Sequence, residues 1–412
     1  MSEFEATEVN RRDFLQAGTA ATASAIALGT ASAPRPTTAQ EPDAAKLGDL
    51  PRRKLGKTGV DVTILNLGTW RSPGLDRLLR FAYSNGVRYV DTARSYGSEP
   101  AIGRWFQAMP EVRKEIFLVT KDSPRVPAEM PAMLDKRLAD LKTDHVDLFF
   151  VHALGDHHSL DEAIEFASGK AMREMVEKIK KSGKAKFVGF STHHKDRAKI
   201  IQAAADANLV DVIMLQYTPW LDKDSDLNKA LDAAHKNGIG LISMKQVAGQ
   251  SDRILDEVPK RVPVLKERGL TPYQGLLHAI WTDERISSAC VSMRNTDQIR
   301  ENAHAARTFE PLKTSDIRQL RDACLAAGPT FCADCDGRCS HAAGTRAALG
   351  DLTRLITYHD QYGYRGEARK LFAAMSPEQK DWAGADLDAA RRACPNGLDF
   401  AHLLEKVDRD LA

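Results

Sequence analysis

Four residues in the first half of the chain have the types that acid–base chemistry uses: Asp91, Tyr96, Lys121 and His152. A tyrosine hydroxyl has a pKa of about 10, and a neighbouring lysine cation lowers it by favouring the phenolate. Asp91 supplies the counter-charge that a buried lysine needs. A histidine beside the tyrosine orients a carbonyl by hydrogen bonding. Together the four fit carbonyl reduction, in which Tyr96 protonates the oxygen while a hydride reaches the carbon.

A second group of candidate residues is the stretch FCADCDGRCSH, residues 331–341, which contains Cys332, Cys335 and Cys339; Cys394-Pro395 follows far downstream. Bacterial iron–sulfur motifs run C-x₂-C-x₂-C-x₃-C-P. We therefore predict one [4Fe–4S] cluster held by these four cysteines. A Cys₄ zinc site and disulfides or free thiols are the alternatives. The other two cysteines, Cys290 and Cys324, are expected to be buried small apolar residues.

The elements that must position these residues repeat regularly between residues 60 and 310, where runs rich in β-branched and aromatic residues alternate with helical segments. Such alternation predicts a parallel sheet, and eight units in about 250 residues have the size of a (β/α)₈ barrel. The predicted fold class is α/β, a (β/α)₈ TIM barrel with a small helical, cysteine-containing C-terminal extension. A doubly wound open sheet is disfavoured because no GxGxxG turn follows the first strand. The predicted strands are 62–68, 88–93, 116–121, 146–152, 185–191, 212–218, 239–245 and 286–293.

The active site of such a barrel lies at the carboxyl ends of its strands, where the four acid–base residues stand. Each alone has a structural explanation, such as a cap for Asp91, a surface charge for Lys121 or a core histidine for His152. Their position on three consecutive strand ends favours chemistry. The loop pairs His157-His158 and His193-His194 lack a nearby cysteine or carboxylate at standard spacing, so we do not expect them to bind metal.

Several motifs in the right order resemble the aldo/keto reductases over residues 51–310: RRKLGKTGVDVTILNLGTW, YVDTARSYGSE, FLVTK, VDLFFVH, GFST and QYTPW. The resemblance implies a hydride transfer between NADP(H) or NAD(H) and a small carbonyl or alcohol substrate. It makes Asp91, Tyr96, Lys121 and His152 the catalytic tetrad. A non-enzymatic exported barrel, acting as a binding or scaffold protein, is the alternative.

The same resemblance implies the cofactor-binding positions, which are Thr69, Ser191, Thr192, Gln216, Met244, Arg294 and Asn302. Ser191 and Gln216 would hold the nicotinamide carboxamide, and Thr69 would lie beside the cofactor. Thr192 replaces the usual asparagine and Met244 the usual stacking tyrosine. Arg294 is the only nearby cation for a 2′-phosphate, so the choice between NADPH and NADH stays open. The cysteine-containing tail resembles the ferredoxin-like extension of one branch of the family.

The N-terminus, with NRRDFLQ at residues 10–16 and Ala31-Ser32-Ala33 after a mild apolar stretch, resembles a twin-arginine signal peptide. The stretch is too short and too polar for stable membrane insertion. We therefore expect a periplasmic or otherwise exported protein that meets the twin-arginine machinery. With 58 Lys+Arg against 56 Asp+Glu, the chain shows no charge pattern for nucleic acid. The predicted segments are signal 1–33, linker 34–50, barrel 51–310 and extension 311–412.

Overall fold

The computed structural model describes residues 49–221, 223–246, 262–327, 332, 337–360, 363–394 and 397–412. The predicted signal and nearly all of the predicted linker lie outside the described residues, as do Cys335 and Pro395 of the cysteine motif. The barrel and the extension belong to one compact unit. None of the helices in the described ranges is both long and apolar enough to cross a bilayer.

Eight parallel strands close into a barrel, which confirms the predicted fold class. Their order around the barrel follows the chain, and the last strand pairs with the first, with Ser292 opposite Gly68. The barrel strands are β3 Leu65–Gly68, β4 Tyr89–Asp91, β5 Phe117–Asp122, β6 Val146–Val151, β7 Ala185–Thr192, β8 Val212–Gln216, β9 Gly240–Met244 and β10 Ile286–Ser292.

The first predicted strand, 62–68, is divided in the structure. Its start forms β2 (Asp61–Thr63), which pairs antiparallel with β1 (Arg52–Lys54), and only its second part enters the barrel. Leu55, after β1, lies among the side chains inside the barrel and contacts Gly240 at the start of β9. The hairpin and its turn therefore cover the amino ends of the strands and leave the carboxyl ends for the site.

Helices connect the strands and surround the barrel. They are α1 Leu75–Ser84, α2 Glu99–Ala108, α3 Pro110–Glu115, α4 Met130–Leu141, α5 Leu160–Ser168, α6 Lys170–Ser182, α7 Arg197–Ala207, α8 Asp226–Lys236, α9 Pro263–Arg268, α10 Pro272–Thr282, α11 Thr296–Arg307 and α12 Thr314–Ala327. Leu320 and Ala323 of α12 are part of the same hydrophobic core as the barrel helices.

The extension that follows has its own hydrophobic core. Its described residues include the helices α13 Arg338–Ala342, α14 Leu349–Asp360, α15 Arg365–Ala374, α16 Pro377–Lys380, α17 Leu387–Ala393 and α18 Phe400–Asp410. Leu352, Ile356 and Leu404 are fully buried in that core. Trp70, which follows β3 of the barrel, packs against the same core. The extension therefore lies at the carboxyl ends of the barrel strands.

Alternation along the strands decides which side chains enter the barrel, because successive residues of a strand point to opposite faces. Leu148 and Phe150 of β6 pack inside the barrel, whereas Phe149 and Val151 pack against the surrounding helices. Glycine is needed at position 189 because strands β7 and β8 approach closely there: a Cβ on Gly189 would lie 1.9 Å from the carbonyl oxygen of Val212.

Candidate active site

The same alternation directs three of the predicted catalytic residues to the barrel interior. Asp91 follows the inward-facing Tyr89, and Lys121 follows Phe117 and Val119 in the same register. His152 continues the inward series of β6. The fourth residue, Tyr96, comes from a short 3₁₀ turn, Arg94–Tyr96, which brings its ring back over the barrel mouth.

Asp91 and Lys121 form a buried ion pair at the centre of this group. Both side chains are almost fully inaccessible, and the Lys121 ammonium donates to Asp91 Oδ1 and, at 2.9 Å, to the carbonyl oxygen of Thr92. Burial favours the neutral amine and is the largest single influence, but the charge of Asp91, together with Tyr96, Cys290 and the hydrogen bond to Asp91, outweighs it, so the pKa of Lys121 is above its ordinary value. The pair therefore places a fixed positive charge beneath the tyrosine.

Tyr96 packs between this cation and the histidine. Its ring meets that of His152 edge-on, with the centroids 5.6 Å apart, and Lys121 Nζ lies 5.1 Å from the Tyr96 centroid. Burial raises the pKa of Tyr96 to about 12, although the charge of Lys121 lowers it. The expected lysine effect is present, but the expectation of a lowered tyrosine pKa is wrong, because desolvation of the phenolate is larger. Tyr96 is therefore protonated at neutral pH and can donate its proton.

His152 is the neutral partner of the group. Burial, with Lys121 and Lys245 nearby, lowers its pKa to about 3. Its backbone N–H donates to the carbonyl oxygen of Asp122 at 2.7 Å, which fixes the start of the loop. A neutral imidazole can hydrogen-bond a carbonyl oxygen without competing with Tyr96 as the proton source.

Three predicted cofactor residues use their hydroxyls within the barrel. Thr69 Oγ1 donates to the carbonyl oxygen of Asp91 at 2.9 Å. The backbone N–H of Ala153 donates to Ser191 Oγ at 2.9 Å, and Thr192 Oγ1 donates to the carbonyl oxygen of Leu154 at 2.9 Å. The side chain of Ser191 points into the barrel, whereas that of Thr192 points outward and is hydrogen-bonded to Leu154 in the loop after β6.

The other predicted cofactor residues lie around the mouth. Met244 packs against the inner barrel cluster, and Asn302 is buried on α11. Gln216 is also buried, and its Oε1 accepts a 2.6 Å hydrogen bond from Arg354 of α14. The guanidinium of Arg294 lies 4.6 Å from the ring centroid of Tyr364. The extension therefore engages the predicted cofactor positions Gln216 and Arg294.

Several titratable residues at this mouth were not assigned to the site from the sequence. Arg354 pairs with Asp351 at 2.6 Å, and His193 Nε2 lies 3.4 Å from Asp156. Burial and the charge of Asp351 raise the pKa of Asp156 to about 7, against the opposing charges of Lys245 and Arg354. No local motif signals this cluster, since its members come from the loop after β6, the ends of β7 and β9, and α14.

The cysteines of the extension approach one another. Cys339 on α13 is buried and Cys394 at the end of α17 is partly buried, and both pack with Cys332 in the core of the extension. Burial, followed by the charges of Cys332 and Cys394, raises the pKa of Cys339 to about 12. The five cysteines that the structure describes are free thiols.

The two remaining cysteines differ from each other. Cys324 is buried, as expected, and burial raises its pKa to about 12. Cys290 is only partly buried, and its thiol points into the barrel beside Asp91. The interpretation of Cys290 as a purely apolar residue is therefore wrong. Its inward register in β10 was the signal that could have revealed this.

Comparison with known proteins places this site in a family. A model of the aldo/keto reductase family matches residues 65–324. L-glyceraldehyde 3-phosphate reductase of Escherichia coli O157:H7 is 23% identical over 330 residues, covering 67% of this chain and 92% of the relative. Aldo-keto reductase family 1 member A1 of Mus musculus is 26% identical over 293 residues, covering 64% and 86%. The solved aldo-keto reductase AKR2E5, complexed with NADPH, aligns with a TM-score of 0.54 at 21% identity, covering 67% and 88%.

Proposed function

Because the chain belongs to the aldo/keto reductase family, we propose that it reduces small aldehydes or ketones with NADPH, and oxidises the corresponding alcohols in reverse. The observation that carries the proposal is the group at the barrel mouth, in which a protonated Tyr96 lies between His152 and the Lys121–Asp91 pair. Family membership makes the chain an NAD(P)-dependent oxidoreductase. A binding or scaffold role without catalysis is not favoured.

Each of the four catalytic residues has a separate role in carbonyl reduction. His152, neutral at physiological pH, donates a hydrogen bond to the substrate oxygen and sets its position. Tyr96 transfers its proton to that oxygen as negative charge develops there. Lys121 stabilises the tyrosinate that remains, and Asp91 keeps Lys121 charged. Bound nicotinamide would supply the hydride.

The residues of the mouth fit a nicotinamide in part. Ser191 Oγ accepts from a backbone N–H and retains its own proton for donation, and Met244 offers a polarisable surface for the ring. The side-chain oxygen of Gln216 already accepts a hydrogen bond from Arg354. NADPH is proposed as the donor because AKR2E5 was solved with it and because Arg294 offers a cation for a 2′-phosphate.

Turnover by purified protein tests the proposal. After production in the cytoplasm, the protein should consume NADPH when small aldehydes are added, and the name of the E. coli relative makes small hydroxyaldehydes the first to try. NADH is compared in parallel at equal concentration. Absence of dinucleotide binding and of turnover with every aldehyde would contradict the proposed function and favour the binding or scaffold role.

We also propose that Cys332, Cys335, Cys339 and Cys394 ligate one [4Fe–4S] cluster. The proximity of the three described thiols in one core supports this. Among the described residues, these sulfurs do not form a group within 4.8 Å of one another. A Cys₄ zinc site is the alternative that metal analysis must exclude.

Metal analysis of anaerobically purified protein distinguishes the alternatives. We expect about four irons per chain and a lower iron content in Cys394→Ser, because Cys394 is the ligand on a different helix. Cys324→Ala is the matched control, since Cys324 lies in the barrel core and should not affect iron. Stoichiometric zinc, or an unchanged iron content in Cys394→Ser, would contradict the cluster.

Export by the twin-arginine machinery is the third part of the proposal, supported by Arg11-Arg12 and the following apolar stretch. Changing both arginines to lysine should leave the protein in the cytoplasm with its leader uncleaved. The matched control changes Arg391 and Arg392 to lysine, an adjacent pair exposed on α17. Cell fractionation reports the result, and unchanged export of the Arg11/Arg12 variant would show that the pair is not a signal.

A further inference from the structure

Helix α14 of the extension inserts a cation into the barrel mouth. Arg354 is 6% exposed, and its Nη1 donates to Gln216 Oε1 at 2.6 Å, at the carboxyl end of β8. Its Nη2 lies 2.6 Å from Asp351, one helical turn earlier. The guanidinium is thus held by an acid on its own helix and by an amide oxygen of the barrel.

A second set of contacts docks the same region of the extension on the barrel. Arg71 pairs with Glu367 at 3.0 Å, and its guanidinium lies 4.3 Å from the ring centroid of Tyr364. Arg294 approaches the same ring at 4.6 Å. Trp70 packs against both Tyr358 and Tyr364, with centroids 6.0 Å apart in each pair. Tyr358 lies on α14, whereas Tyr364 and Glu367 belong to the start of α15, so these contacts dock both helices of the extension on the barrel without involving Gln216.

We infer that Arg354 competes with the nicotinamide carboxamide for Gln216, so that the extension lowers the affinity of the barrel for the complete dinucleotide. The inference rests on the proposed function. Gln216 lies in the inward register of β8, and its Oε1 already accepts the hydrogen bond from the buried guanidinium of Arg354. A carboxamide can reach Gln216 only after Arg354 has withdrawn.

Withdrawal is feasible because Arg354 keeps its counter-charge. Asp351 lies one turn earlier on the same helix and can stay paired with the displaced guanidinium, so no unpaired buried charge is left, which would be far more costly. Withdrawal gives up the charge-assisted hydrogen bond from Arg354 to Gln216. The guanidinium of Arg354 and the nicotinamide carboxamide therefore compete as donors for one acceptor, the side-chain oxygen of Gln216. This competition changes the affinity for the dinucleotide by a modest factor and does not close the site completely.

Binding of two probes separates this competition from other effects. Calorimetric titration with NADPH is compared with titration by 2′-phospho-ADP-ribose, which lacks the nicotinamide. Replacing Arg354 with Met, which approximates the aliphatic part of the arginine but removes the guanidinium donors, should tighten NADPH binding about tenfold. Binding of 2′-phospho-ADP-ribose should change less than about twofold, because that part of the dinucleotide does not reach Gln216.

Two further variants complete the experiment. Arg354→Gln, a shorter neutral side chain, should reproduce the tighter NADPH binding and provides a second route if Arg354→Met does not fold. Arg346→Met is the matched control, since Arg346 lies in the same extension but pairs with Glu378 at the surface. Its affinity for both probes should equal that of the wild type. Thermal unfolding checks that each variant is folded.

Three results would overturn the inference. Equal or weaker NADPH binding in both Arg354 variants would show that Arg354 does not compete. An equal gain for both probes would show a general loosening of the mouth rather than competition at Gln216. If NADPH bound neither the wild type nor the variants, the proposed function would fail as well. Tight wild-type binding that Arg354 does not affect refutes this inference alone.

Discussion

Replacing Tyr96 with phenylalanine should lower kcat for carbonyl reduction by about 10²–10⁴-fold, the usual contribution of a positioned general acid. The substitution removes the hydroxyl and keeps the ring, so the edge-on contact with His152 is retained. His152 cannot replace the lost proton donor, because its pKa is lowered to about 3 and the ring carries no transferable extra proton at neutral pH. The dissociation constant for NADPH should stay within about twofold, since the hydroxyl acts on the substrate oxygen.

The measurement is steady-state kinetics with one aldehyde, together with direct titration of NADPH. Tyr83→Phe is the matched control, because Tyr83 also loses a hydroxyl, one that contacts Glu115 at the surface of α1. Its kcat should equal that of the wild type. A Tyr96→Phe enzyme that kept most of its kcat would remove Tyr96 from the role of proton donor.

Replacing Lys121 with methionine should lower the free energy of unfolding by about 3–5 kcal/mol, because it leaves Asp91 buried without a counter-charge. Asp91 would then be protonated in the folded variant. Keeping a carboxyl with an ordinary pKa of 3.9 protonated at pH 7 costs about 4 kcal/mol, which agrees with that range. Activity should fall too, since the tyrosinate would lose its stabilising cation.

The pH dependence of this loss has a definite sign. In Lys121→Met the pKa of Asp91 is raised in the folded state, so the folded variant binds a proton that the unfolded chain releases. The difference in free energy of unfolding between the wild type and Lys121→Met should therefore shrink by about 1.4 kcal/mol per pH unit as the pH falls from 7 to 5. Urea denaturation at several pH values measures it.

A second substitution tests the origin of the deficit. Adding Asp91→Asn to Lys121→Met removes the buried charge and should restore most of the lost free energy, because replacing both members of a buried pair is often nearly neutral. Lys186→Met is the matched control, since Lys186 pairs with Asp147 at 2.8 Å but is mostly exposed. That variant should lose less than about 1 kcal/mol. A deficit unaffected by Asp91→Asn would contradict the ion-pair explanation.

The barrel was predictable because its signals are local. Each strand is a short apolar run followed by a helix with a clear stop, and the eight predicted strands match the eight in the barrel. One prediction was wrong in part: residues 62–68 were expected to form one strand, but the structure divides them at Ile64 into two. Pairing of Asp61–Thr63 with Arg52–Lys54 is a contact between two segments, which local propensity does not report.

The position of the acid–base residues was also determined by the sequence alone. Strand ends of a parallel barrel meet at one face, and a period of two along each strand sends Asp91, Lys121 and His152 to the same interior. The type of each residue then indicates its chemistry. These inferences need only the order of residues within single strands and the fact that the barrel closes.

Only the tertiary structure decided the direction of the pKa shift of Tyr96 and the presence of Arg354 at the barrel mouth. The pKa of Tyr96 depends on how completely the phenol is desolvated, which outweighs the nearby Lys121 and depends on packing around it. The hydrogen bond between Arg354 and Gln216 joins residues 138 positions apart. Neither residue carries a local signal of the other, because the bond exists only where α14 docks on the barrel.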